Sequence, residues 1–396
     1  MIKSLESREI LNSRGNPTIE VELETNKGIF KASVPSGASC GKNESKELSV
    51  KRAMASVKII AKEIKGMNEK KQKKIDRLLI RLDGTEDKSH LGANALLAVS
   101  IAVCRAGAVA KGKPLYKYIR KIGGRKLKAR GWRMPKPCFN IINGGAHAGN
   151  KLDVQEFMII PQGDTFKANL RKGAETYHQL KDLLKKKFGR QSTNLGDEGG
   201  FAPNISKSLE VLSLLTKVIK DQNIRIGLDV AASQFYNDER YNFDGKFLTG
   251  DKLLEYYEKI VKKYPIEFIE DPFDEEDWES FEKITERLKV NIIGDDLLTT
   301  NINRIRLAYV KSACNGVIIK PNQIGTVTET LQAIQLAKLY KWKIVVSHRS
   351  GETLDDFIAD LSVGVQSNYI KSGAPARGER LAKYNRLLKI EEELGI

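Results

Sequence analysis

Six polar residues in the second half of the chain each end a short apolar run: Asp229, Glu270, Asp295, Lys320, His348 and Lys371. The first three are carboxylates in succession. Oxygen donors of that kind suit a hard cation such as Mg2+, which takes its remaining ligands from water and substrate. One strand-end acid more often caps the next helix; three in a row, with a lysine next, are harder to explain that way. In "NGVIIKPNQIGT" that lysine, Lys320, closes the apolar residues 316–319. An amine is costly there unless something uses it. Beside metal cations and away from water it is pushed towards its neutral form, which can take a proton. The plainer alternative is a lysine snorkelling to solvent.

Other stretches add to this set. "NLGDEGGFAPN" places Glu198 among glycines that allow close backbone approach to a ligand. "NGGAHAGN" holds His147 in a similar loop, and "VQEFMII" puts Gln155 and Glu156 at the start of an apolar run. "SHRSGE" sets His348, Arg349 and Ser350 at a strand-to-helix junction, where backbone N–H groups and an arginine can bind phosphate. His90 and His178 lie in turn and helical contexts and read as structural. A base, an acid, metal carboxylates and a phosphate site together suit proton abstraction next to a carboxylate, where cations must stabilise the enolate.

Regular elements must position these groups. The apolar runs "IRIGLDV", "IEFIEDP", "VNIIGDD", "GVIIKPN", "KIVVSHR" and "NYIKSG" read as strands, with amphipathic helices between them. The six polar residues are spaced 41, 25, 25, 28 and 23 apart, and all but the first gap approximate one βα unit. Polar residues repeated at parallel strand ends converge on one face of a barrel, more completely than in an open doubly wound sheet. Upstream, "TIEVELETNKGIFKASV" reads as two strands joined by a turn, and residues 44–120 read as helices. Thr326 and Glu329 have capping-box spacing at one helix start.

With 396 residues the chain is too long for one ordinary core, so two domains are expected. The apolar run "LGANALLAVSIAVC" is interrupted by Asn94 and Ser100 and reads as a buried helix, so no membrane association is expected. The N-terminus shows no apolar signal core, and Cys40, Cys104, Cys138 and Cys314 form no CxxC pair. Both point to a reducing cytoplasm. Net charge is +17, and residues 111–136 carry eleven Lys or Arg and no acid. No nucleic-acid-binding motif accompanies that run, which reads as a solvated linker and helix surface rather than a polyanion site.

At the level of whole motifs the chain resembles the enolase family. The resemblance runs through "SREILNSRGNPTIEVEL", "VPSGAS", "NGGAHAGN", "QEFM", "GDEGGFAPN", "EDPF", "GDD", "NQIGT", "SHRSGET" and "IKSGAPAR" to "RLLKIEEELG". It implies an α/β fold: an N-terminal α+β domain over residues 1–128, then an enolase-type (βα)8-like barrel with an irregular ββαα start over residues 129–396. It implies reversible dehydration of 2-phospho-D-glycerate to phosphoenolpyruvate in glycolysis and gluconeogenesis. Asp229, Glu270 and Asp295 match the ligands of a first Mg2+, and Ser39 matches a loop ligand of a second, bound with substrate. Lys320 matches the base at C2 and Glu198 the acid that helps the 3-hydroxyl leave, so a raised pKa would suit Glu198. His147, Gln155, Glu156, His348, Arg349, Ser350 and Lys371 match substrate contacts. The family usually forms homodimers, and some members octamers. Cys40 and Gln234 depart from the family's usual threonine and glutamate.

Overall fold

The computed structural model describes residues 1–37, 41–124, 127 and 131–396. The chain opens with a three-stranded antiparallel sheet of β1 (Ile2–Leu11), β2 (Pro17–Thr25) and β3 (Gly28–Ser33). Central β2 alternates buried Ile19, Val21 and Leu23 with three glutamates, as a half-buried strand must. Edge strand β1 buries only Ile2 and Leu5 fully, too few to leave a readable period. Four helices follow: α1 (Val50–Ile64), α2 (Gln72–Asp83), α3 (Ala93–Ala110) and α4 (Leu115–Ile122). By length and composition α3 could cross a membrane, but 83% of it is buried inside the molecule, where it packs on β2 and β3.

Strand β4 (Lys136–Asn143) pairs antiparallel with β5 (Glu156–Pro161), and helices α5 (Phe166–Phe188) and α6 (Ser208–Ile219) precede β6 (Ile224–Asp229). A small separate sheet of β7 (Tyr236–Asn237), β8 (Arg240–Phe243) and β9 (Lys246–Leu248) follows in the chain. Regular alternation then sets in with α7 (Gly250–Lys263), β10 (Ile266–Glu270), α8 (Trp278–Arg287), β11 (Asn291–Gly294), α9 (Ile302–Lys311) and β12 (Gly316–Ile319). It ends with α10 (Val327–Leu339), β13 (Lys343–Ser347), α11 (Phe357–Gly364), β14 (Tyr369–Lys371) and α12 (Gly378–Leu394). The strands close in the order β10-β11-β12-β13-β14-β4-β5-β6. The fold is thus an α/β barrel with a ββαα start, as expected. One cluster of buried side chains, contributed by seven of the eight strands, fills its interior: Cys138, Met158, Ile160, Phe268, Ile293, Ile318, Val345 and Tyr369. Gly227 on β6 leaves room there; a Cβ would lie 2.8 Å from the Phe268 ring.

Polar contacts lock the first helices to the barrel. Thr326 caps α10 by accepting the Glu329 N–H at 3.1 Å, but the Glu329 carboxylate takes the Thr326 hydroxyl at 2.7 Å rather than closing a capping box on the backbone. The next two orphan N–H groups of α10 are satisfied from outside the barrel. Val327 N–H donates to Ser100 Oγ at 2.9 Å, and Thr328 N–H to Asp76 at 2.9 Å. Burial pushes the Asp76 carboxyl up to about 6 even with donors from Thr328, Ser100 and Gln72 around it. Arg105, at the end of the apolar run, forks onto Asp355 at 2.7 and 2.9 Å.

Two members of the basic run have structural roles. The Arg120 guanidinium stacks 3.4 Å above the Trp132 ring and donates to Gly131 O, and Lys136 donates to Gln162. Residues 125, 126 and 128–130 of the run lie outside the described residues.

Candidate active site at the carboxyl rim of the barrel

Strand direction brings the acids together. Asp229 and Glu270 end parallel β6 and β10 and are register partners. Because β5 runs antiparallel to β6, its first residue rather than its last reaches the same rim, and Glu156 pairs with Asp229. Asp295, Lys320 and His348 directly follow β11, β12 and β13, and Lys371 ends β14. Backbone strain collects in the loops after these strands: Ala231, Asp271, Thr299 and Thr300 have φ between 41° and 54°. The left-handed turn at Asp271 points its carboxylate back onto the N–H groups of Asp295 and Asp296, at 2.8 and 2.6 Å.

Glu198 arrives on the loop between α5 and α6. That loop lies against the end of β4, where Gly196 N–H bonds Gly200 O at 2.8 Å and Asp197 N–H bonds His147 O at 3.0 Å. A Cβ at Gly200 would lie 2.5 Å from Asn143 Oδ1. Gly200→Ala should therefore displace Glu198 and cost on the order of 10² in kcat with the fold intact; unchanged kcat would mean that this loop packing does not set the geometry.

Glu156, Glu198, Asp229, Asp271, Asp295 and Asp296 line one small cavity with Lys320, Lys371 and Arg349. Burial, with the crowding of six carboxylates, pushes the pKa values of Glu156, Asp271 and Asp296 up, that of Asp296 to about 8. Lys371 lies at the centre, 3.0 Å from Asp229, 2.8 Å from Glu270 and 3.4 Å from Glu156. Lys320 bonds Asp295. Burial alone would lower the Lys320 pKa, but the Asp295 charge outweighs it and holds the amine protonated. The expected neutral form is that of an amine beside bound cations; with Asp295 as its partner the amine keeps its proton.

Glu198 departs from expectation. Burial alone would raise it, but His348 and then His147, facing it, pull its pKa well below the usual carboxylate range. Asn140 Nδ2 also donates to it at 3.0 Å. Its neighbour Glu156 is pushed up by burial and by the Glu198 charge. Burial also lowers the pKa of His147, whose Nδ1 lies 3.6 Å from both glutamates. Gln155 also lines the cavity; Gln234 Nε2 donates to its Oε1 at 2.7 Å. Ser350 lines the wall beside His348. Arg349 reaches Glu44 at 2.8 and 3.2 Å. Ser39 and Cys40 lie outside the described residues. His90 Nδ1 donates to Asp83 O at 3.1 Å, and exposed His178 packs on Tyr177; neither lines the cavity.

Two family models match in tandem: residues 2–119 fit "Enolase, N-terminal domain" and residues 132–396 fit "Enolase, C-terminal TIM barrel domain". The chain belongs to the enolase family. A relative from Mastigamoeba balamuthi named enolase is 51% identical over 425 aligned positions, covering 100% of this chain and 96% of the relative. Membership of the enolase family makes the chain a carbon–oxygen hydro-lyase, a phosphopyruvate hydratase of glycolysis.

The enolase family also points to a metal cofactor, and the residues fit one. Asp229, Glu270 and Asp295 offer only hard oxygen donors, their charge is balanced here by lysines, and Glu156 Oε2 is buried with no partner among the described residues. A second cluster, Asp271, Asp295 and Asp296, brings carboxylate oxygens within 4.8 Å of one another. The free volume between all these groups is about 20 Å³, room for a bare ion or one water rather than a phosphorylated acid.

Sequence spacing does not single out Glu44, Asn140, Gln323 or Arg380, all buried around this cavity. Gln323, within the quoted "PNQIGT", donates to Asp295 at 3.0 Å. The others become visible only through contacts between distant segments.

Proposed function

We propose that the chain interconverts 2-phospho-D-glycerate and phosphoenolpyruvate, with Lys320 moving the C2 proton and Glu198 serving the 3-hydroxyl. The observation that carries this reading is that both groups line the same buried cavity, from β12 and from the loop beside β4, among carboxylates suited to Mg2+. Asp229, Glu270 and Asp295 would hold a divalent cation, which would supply charge to stabilise the enolate; with Asp295 so engaged, its hold on the Lys320 proton would weaken. A second Mg2+, with Ser39 among its ligands, fits the same reading.

Lys320 takes the proton from C2, and the electron pair left behind is delocalised into the substrate carboxylate. Expulsion of the 3-hydroxyl needs a proton at that oxygen; Glu198, ionised in the free site, takes one from water before the cavity closes and delivers it there. The ionised Glu198 of the free site is set for the reverse direction, in which it accepts a proton from water adding to C3. His147, Gln155, Glu156, His348, Arg349, Ser350 and Lys371 bind and orient the substrate. With the cavity closed around it, water is excluded from the enolate.

Absorbance of phosphoenolpyruvate growing from 2-phosphoglycerate in Mg2+, and stopping with a chelator, tests the reading. No turnover under any divalent cation would refute it.

A further inference from the structure

Arg380, on the first turn of α12, is fully buried and among the largest enclosed side chains. Its guanidinium reaches three carbonyls: Arg349 O at 2.7 Å, Ser350 O at 2.6 Å and Asp197 O at 3.0 Å. Its remaining Nη1 contact is the ring of His348, at 2.7 Å from Nδ1. A guanidinium has no acceptor and keeps its proton at any working pH. The partner nitrogen must therefore offer a lone pair. A neutral imidazole that accepts at Nδ1 carries its proton on Nε2, and Nε2 faces Glu198 Oε2 at 3.2 Å.

We infer that Arg380 is a positioning residue that fixes His348 as its neutral Nε2–H tautomer and so aims a donor at Glu198. The inference deepens the proposed reaction and rests on Glu198 being the group that serves the 3-hydroxyl. An imidazolium would set an Nδ1–H against an N–H of Arg380 across 2.7 Å, so the same contact disfavours charging the ring. Burial works in the same direction and pushes the His348 pKa down to about 3 against the pull of Glu198. The 3.2 Å contact to Glu198 is off the line of the ring N–H, a charge–dipole contact rather than a full hydrogen bond in this conformation.

Two consequences follow for chemistry. His348 does not take the Glu198 proton, because its only lone pair is already engaged by Arg380. Glu198 is left to exchange its proton with substrate or water. The same guanidinium also ties Asp197 O to Arg349 O and Ser350 O, so one side chain registers the loop carrying Glu198 against the loop carrying His348.

The chain has only four histidines, which makes the ring nitrogens readable by NMR of the full protein labelled with 15N-histidine. His348 is assigned by the signals lost in His348→Asn. In wild type, Nδ1 should be pyridine-like and Nε2 pyrrole-like, unchanged from about pH 5 to about pH 9. A pyrrole-like Nδ1, or two pyrrole-like nitrogens, overturns the inference. Arg380→Lys retains a donor and should keep the tautomer. Arg380→Met should yield mixed tautomers and lose about tenfold or more in kcat with KM changed far less. A single unchanged tautomer in Arg380→Met overturns the inference, and if that variant does not fold, the wild-type spectrum decides alone. Wild type with the stated tautomer but no turnover would sink the proposed reaction while leaving the Arg380 assignment standing. Normal turnover with Nδ1 protonated would do the opposite.

Discussion

Lys320→Ala should lower kcat by about 10⁴, the upper range for losing a positioned general base. The loss belongs to one step, and isotope exchange can isolate it. Wild type should exchange the C2 proton of 2-phosphoglycerate with deuterium from solvent, and Lys320→Ala should not. Glu198→Gln should retain the exchange while losing formation of phosphoenolpyruvate, because it removes the group at C3 and leaves the base at C2. Exchange that survives in Lys320→Ala would assign the base elsewhere. Lys320 also neutralises Asp295, so a matching thermal melt is needed to show that the variant is folded.

The second large effect concerns stability. Lys371 is the common partner of Asp229, Glu270 and Glu156, all nearly fully buried. Lys371→Met leaves these carboxylates without their cation, and breaking a buried pair in this way costs about 3–5 kcal/mol. In urea with a chelator, the variant should lose about that much. Mg2+ should then restore part of it, up to about 2.7 kcal/mol at a hundredfold excess over its dissociation constant. Wild type should gain less from Mg2+ than the variant, since its lysine already serves the acids. Equal losses with and without Mg2+ would show that the ammonium and the metal do not share these ligands. The activity of the variant is a separate question, because Lys371 also lines the substrate cavity.

Much of the site is legible in one dimension because a parallel barrel turns chain period into spatial convergence. Asp229, Glu270, Asp295, Lys320, His348 and Lys371 all stand at or just past their strand ends. Glu156 breaks that rule, since it reaches the rim from the start of an antiparallel strand, and no period marks it. Strand β1 is missed because an edge strand with two buried side chains carries no alternation. Protonation states are missed for another reason. Whether Lys320 holds its proton depends on Asp295, which lies 25 residues away in sequence but in contact in space. Arg380 and Glu44 look like ordinary surface charges in their local sequence, and only the folded chain shows what they touch.

The two family matches leave residues 120–131 between them, which invites cutting the chain there. The α10 contacts argue against it. The first turn of that barrel helix is completed by Asp76 and Ser100, side chains that belong to the other side of the cut. An excised barrel would expose backbone donors with no acceptor and lose the Arg105–Asp355 clasp as well. The boundary between the two family matches is not one of autonomy: hybrids that join halves from two relatives must inherit Asp76, Ser100 and Thr328 as a set, and damage to either half should register as a single cooperative melting event.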